Sequence, residues 1–136
     1  MARMGTDERR ILFVCRHGAA KSVLAASLTR GVARSRGLDL RATARGVEPQ
    51  ERMSTALVSL LPQEAEGLAA ARPRRVTAED LASAWRVVTF NVDPEELPGR
   101  PNHHERWDDV PPVADDPAGA QAAIERHVAE LLDGAR

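Results

Sequence analysis

The chain has 136 residues, 43% of them hydrophobic and 29% charged, with a formal net charge of −1. That balance is globular rather than disordered, and it gives no global attraction toward nucleic acid or an anionic membrane. One cysteine excludes an intrachain disulfide, so a reducing cytoplasm is the expected compartment.

The opening MARMGTDERR carries acidic residues and no apolar stretch, so it does not read as a secretory signal, and no later run reaches membrane-spanning length. Residues 1–9 read as a flexible polar segment ahead of a single domain over 10–136. Arg10–Val14 is a short, largely apolar run that fits a strand covered on both faces. From Ala19 to Ser35, Val23, Leu24, Leu28 and Val32 form a helical stripe, and Gly37 supplies a stop. Leu38–Ala44 alternates as a second strand, broken by Gly46 and Pro49. Met53, Ala56, Leu57, Leu60 and Leu61 recur at helical spacing until Pro62. Thr77 and Asp80 bracket the start of a short helix through Leu81. Ala84–Phe90 and His104–Asp108 read as the third and fourth strands. The three prolines in the stretch from Asp109 through Pro117 exclude regular structure throughout it. Asp116-Pro117 then starts a final helix whose buried face is Ala120, Ala123, Ile124, His127, Val128, Leu131 and Leu132. This order predicts an α/β sandwich with a mostly parallel sheet, in which ligands bind beyond the carboxyl ends of the strands.

Cys15 sits at such an end, between the first strand and the first helix. A thiol facing a helix N-terminus lies where amides and the helix dipole favour negative charge, whether a thiolate or a bound oxyanion. Gly18, Ala19 and Ala20 are small enough for backbone to close round an anion. Ser22 can donate to the Cys15 sulfur, and Lys21 can place a cation on the anion. The thiolate would attack phosphorus in line and form a thiophosphate that water hydrolyses.

The run Cys15 to Lys21-Ser22 resembles the C-x5-R-S loop of low-molecular-weight protein tyrosine phosphatases and the related arsenate reductases. Arg41-Ala-Thr-Ala-Arg-Gly46-Val-Glu-Pro49 is similar to the family's second strand and turn. Residues 74–81 with Trp85-Arg-Val-Val-Thr-Phe90 are similar to its short helix and third strand, and Arg106-Trp107 with the last helix complete the resemblance over about residues 10–133. The resemblance implies a three-layer sandwich around a four-stranded parallel sheet, phosphotyrosine protein phosphatase I-like. It also implies a nucleophile at Cys15, oxyanion binding by Arg16, His17, Gly18, Ala19, Ala20, Lys21 and Ser22, and no cofactor. This chain departs from the family's pattern at Lys21, which replaces an arginine fork by a point charge, and at Gly18, where an asparagine is common.

A proton donor must face Cys15 across the phosphate. Asp109 fits the family's spacing between Trp107 and the last helix and is the favoured acid. Asp116, already explained as a helix cap, and Asp93 are the alternatives. The pair His103-His104 reads as solvated rather than metal-binding. Three functions follow: a phosphomonoester hydrolase, an arsenate reductase that uses an external thiol, and an oxyanion-binding module with little turnover. The expected partners are a phosphate-bearing or arsenate substrate and, for the second function, that thiol, with neither nucleic acid nor membrane.

Overall fold

The computed structural model describes residues 9–134. Residues 1–8 of the expected N-terminal segment lie outside the described residues, and Arg9 already belongs to β1 (Arg9–Cys15). The side chains of β1 alternate between two cores, which is why its sequence from Ile11 to Cys15 is continuously apolar. Ile11, Phe13 and Cys15 join the larger cluster with α1 (Lys21–Arg36), α2 (Thr55–Leu60) and α5 (Pro117–Asp133). Leu12 and Val14 join a smaller cluster with Val87, Val92 and Leu81. Leu81 lies on α4 (Ala78–Ser83), so helices cover both faces of the sheet.

The four strands are parallel and stand in the order β2-β1-β3-β4, with β2 at Leu40–Gly46, β3 at Arg86–Thr89 and β4 at His104–Arg106. The expected α/β sandwich is therefore present. From β1 the chain crosses to β2 on one side, while β3 lies on the other. The crevice between the ends of β1 and β3 is thus a topological switch point. Beneath it, Phe13, Phe90 and Trp107 form an aromatic cluster with ring centroids 5.6–6.3 Å apart.

Several boundaries differ from the sequence reading for local reasons. The helix α1 starts at Lys21, because Ala20 (φ −141°, ψ −85°) is not helical and stays in the loop with Ala19. Gly37 adopts φ 69°, and its N–H and that of Leu38 return to the carbonyls of Arg34 and Ala33. That paired cap consumes Leu38, so β2 begins at Leu40 instead and runs on to Gly46. A further helix, α3 (Ala65–Ala70), follows a short 3₁₀ turn opened by Pro62. It buries no residue fully and so carries no apolar stripe to announce it. The strands β3 and β4 are shorter than predicted, whereas α4 carries the predicted reciprocal cap, with Thr77 and Asp80 exchanging two 3.0 Å bonds.

The loop after β1 meets the end of β2 in a close backbone contact. A Cβ on Gly46 would lie 2.6 Å from the Gly18 nitrogen, and one on Gly18 would lie 2.8 Å from the Gly46 nitrogen. Both obstacles are backbone and cannot swing aside. Gly46→Ala is therefore expected to cost at least about 1–3 kcal/mol in urea denaturation. Gly31→Ala, in the middle of α1 with open space around it, is expected to gain about 0.5–1 kcal/mol.

Candidate active site

Between β1 and α1 the loop is fixed from outside by its carbonyls. Those of Cys15, Arg16, His17 and Ala19 accept from the amides of Val47, Glu48, Gln50 and Ser54 at 3.1, 2.7, 3.3 and 3.0 Å. Each trans peptide points its following N–H the opposite way. Among the described residues, no backbone carbonyl accepts from the amides of residues 16–20. The first amides of α1 have no acceptor within the helix either. The result is a run of unspent donors around the end of β1, the arrangement that binds tetrahedral anions.

Cys15 lies at this point with its residue 7% exposed. Its Sγ is 3.0 Å from the Oγ of Ser22, which is fully buried on the first turn of α1. With the sulfur ionised, the hydroxyl donates to it. Cys15 lines a cavity of about 370 Å³ together with Arg16, His17, Ala19, Ala20 and Lys21, a volume suited to a small ligand. Gln50 and Ser54 form one side, Phe90 and Asn91 another, and Pro112, Val113 and Ala114 a third. The structure thus brings together most of the residues singled out from the sequence. Gly18 does not line the cavity; it packs on Gly46 and shapes the loop. Ser22 reaches the site through Cys15 alone.

The two loop cations are held differently. Arg16 pairs with Glu96 and, at 3.9 Å, with Glu48. Lys21 donates to Asn91 Oδ1 at 3.0 Å. Asn91 has φ 56°, and it is the one non-glycine residue with positive φ among the described residues. Its N–H donates to Asp108 Oδ1 at 2.7 Å, and Arg106 braces Asp108 at 2.9 Å and Asp93 at 3.0 Å. An ammonium has three donors, so the bond to Asn91 leaves two for a ligand. Burial lowers the Lys21 pKa below the ordinary lysine value, while Cys15 and Asp108 oppose that shift.

None of the three candidate acids reaches the cavity. Asp109 accepts from His127 Nε2 at 2.8 Å and lies 4.0 Å from Arg126. The His127 bond holds its carboxyl below the usual range, which suits an ion-pair acceptor rather than a proton donor. His127 in turn stacks on Trp107, 4.6 Å between centroids and 12° between planes. Asp116 caps α5 through Gly119 N, and Asp93 serves Arg106. His104 bonds Thr89 Oγ1 at 2.8 Å. Among the described residues no three His, Cys, Asp or Glu side chains gather as a metal site. Sequence reasoning missed Asn91, Gln50, Ser54 and the 112–114 wall. Of these only Asn91 carried a signal, since it follows a strand at the carboxyl edge of the sheet.

Fold and site together define a parallel-sheet α/β protein with a cysteine at the start of the loop between its first strand and first helix. The family model of low molecular weight phosphotyrosine protein phosphatases matches residues 10–99, and the chain belongs to that family. Its fold is similar to that of YfkJ from Bacillus subtilis (TM-score 0.77, 19% identity, 93% of each chain). It is also similar to a low molecular weight protein tyrosine phosphatase from T. tengcongensis (0.72, 19%, 93% of this chain and 99% of that one). A thioredoxin-dependent arsenate reductase from Corynebacterium glutamicum shares the fold as well (0.70, 19%, 97% of this chain and 64% of that one). No curated protein matches. The family match ends at residue 99, so the 112–114 wall and α5 lie beyond it.

Two expectations follow. Asn91→Ala frees the ammonium and should weaken inorganic phosphate binding about tenfold by calorimetry, with no further effect in a Lys21→Ala background. In the wild type, binding should also fade as pH rises toward a value below that of free lysine, and Lys21→Arg should remove that limb. Asp109→Asn should keep phosphate affinity within about twofold. It should lose less than about 1 kcal/mol of stability near neutrality, because a depressed carboxyl stabilises the fold above its unfolded pKa. The difference from wild type should vanish as pH falls through the folded pKa, measured by urea midpoints across pH.

Proposed function

We propose that this chain is a cytoplasmic, cysteine-dependent hydrolase of phosphomonoesters. The observation that carries the reading is the place of Cys15 on the cavity lining, directly before the unspent amides of residues 16–20 and with its Sγ 3.0 Å from Ser22 Oγ. The amides and the two remaining donors of Lys21 hold the phosphoryl oxygens. The thiolate attacks phosphorus, the S–P bond forms as the bond to the leaving oxygen breaks, and Ser22 steadies the sulfur when water later releases phosphate. No helix of the described residues is long and apolar enough to cross a membrane.

The cavity wall favours a second reading, arsenate reduction with an external thiol. Pro112, Val113 and Ala114 place no carboxylate beside Sγ, so an incoming thiolate meets an apolar wall and two cations. It would attack Cys15 Sγ of an arsenate adduct, form an S–S bond and leave arsenite with the electron pair. A second thiol would then reduce the mixed disulfide.

Wild-type protein is expected to hydrolyse p-nitrophenyl phosphate, and Cys15→Ser to lose at least about 10³-fold in kcat. Lys21→Ala should lower kcat by about 10²–10³-fold, as for removal of an oxyanion donor. Full turnover by Cys15→Ser would end the covalent reading. Arsenate-dependent loss of an added low-molecular-weight thiol, with no phosphate ester turned over, would favour the second.

A further inference from the structure

We infer that Arg106 is a positioning residue for the candidate anion site: it lies off the cavity lining, yet it directs Lys21 through Asp108 and Asn91, and Arg16 through Asp93 and Glu96. This rests on the oxyanion-binding half of the reading above and not on turnover. A lysine side chain is flexible and its ammonium is a point charge, so a partner must fix where it points. Asn91 Oδ1 is that partner, at 3.0 Å. The amide turned over would present its own donors to the ammonium and lose the bond. Asp108 holds it against that turn. Its backbone carbonyl accepts from Asn91 Nδ2 at 3.5 Å and its Oδ1 from the Asn91 N–H at 2.7 Å, which leaves Asn91 Oδ1 for Lys21.

Asp108 is itself exposed, and Arg106 Nε fixes its carboxylate at 2.9 Å. The same guanidinium holds Asp93 Oδ1 through Nη2 at 3.0 Å. Glu96 Oε2 accepts from the Asp93 N–H at 3.0 Å, in the reciprocal cap of the turn Pro94–Glu96, and Glu96 Oε1 accepts from Arg16. One planar fork thus spans two carboxylates whose further bonds lead to the two loop cations. A guanidinium holds Nε and Nη2 at a fixed angle, which an ammonium does not supply. The sheet places the fork there, because β4 sets Arg106 opposite Thr89, two residues before Asn91.

Calorimetry of inorganic phosphate on the full chain is the test. Arg106→Met should weaken binding about threefold to tenfold, and by less than about twofold in an Asn91→Ala background, where the Lys21 arm is already cut. Arg106→Lys keeps the charge but not the fork, and should recover little of the loss. Lys21 is the only lysine in the chain, so ¹⁵N-lysine labelling gives a single ammonium signal. The bond to Asn91 slows its proton exchange, and Arg106→Met should broaden the signal, which a purely structural role for Arg106 would not do. Full affinity in Arg106→Lys would assign the effect to charge alone and overturn the inference. An equal loss with and without Asn91, or an unmoved ammonium signal, would overturn it too. Phosphate binding with the expected coupling but no ester hydrolysis would end the hydrolase reading and leave the inference standing. Ester hydrolysis with wild-type phosphate affinity in Arg106→Met would do the reverse, and no phosphate binding by the wild type would overturn both. Should Arg106→Met fail to fold, Asp108→Asn, which keeps an oxygen for the Asn91 N–H but loses the charge that Arg106 holds, should show the same loss and the same broadening.

Discussion

Gly18 and Gly46 meet backbone to backbone, and that contact forces the loop after β1 into its shape. With no side chain between them, the 46–54 segment comes close enough to take four loop carbonyls as acceptors. Once those carbonyls face outward, the amides that alternate with them have only the cavity to face. The candidate anion site is therefore a by-product of tying down the other side of the same peptides. The thiol needs no special setting beyond its place at the last residue of β1, with Ser22, the second residue of α1, held against it.

The C-terminal third of the chain serves the site directly through Asn91 and the 112–114 wall, and indirectly through what holds them. Arg106, at the end of the edge strand, gathers Asp93 and Asp108, and Asp108 fixes the Asn91 amide. A point-charge lysine lacks the fixed fork of a guanidinium, and this braced asparagine gives it a direction. Farther along, Asp109, His127 and Trp107 form a separate stack that secures α5 over the aromatic cluster. The carboxylate that spacing nominated as an acid is thus used for packing, while prolines and small apolar residues occupy the wall.

Much of this was legible in the sequence because the signals were local. The apolar run before Cys15, the Thr77–Asp80 cap, the Asp116-Pro117 start and the stripe of α5 each depend on residues a few positions apart. The four-stranded parallel sheet and the loop followed from the resemblance, carried in large part by residues 15–22 and 41–49. What failed was long-range. Asp109 and His127 are eighteen positions apart, so no local pattern shows that the imidazole claims the carboxylate. Lys21 and Asn91 are seventy apart and meet only because β1 and β3 are neighbours. The helix α3 failed for a different reason: AEGLAA has helical propensity but covers too little core to show a stripe.

Asn91 also narrows what evolution can do at the mouth of the crevice. A left-handed backbone there admits glycine, asparagine and aspartate with little strain and penalises nearly every other side chain. Of those three, glycine leaves the ammonium untethered, and aspartate sets a negative charge beside the incoming anion. Asparagine alone supplies a neutral acceptor, so the backbone angle and the choice of lysine over arginine constrain each other and should drift, if at all, as a pair.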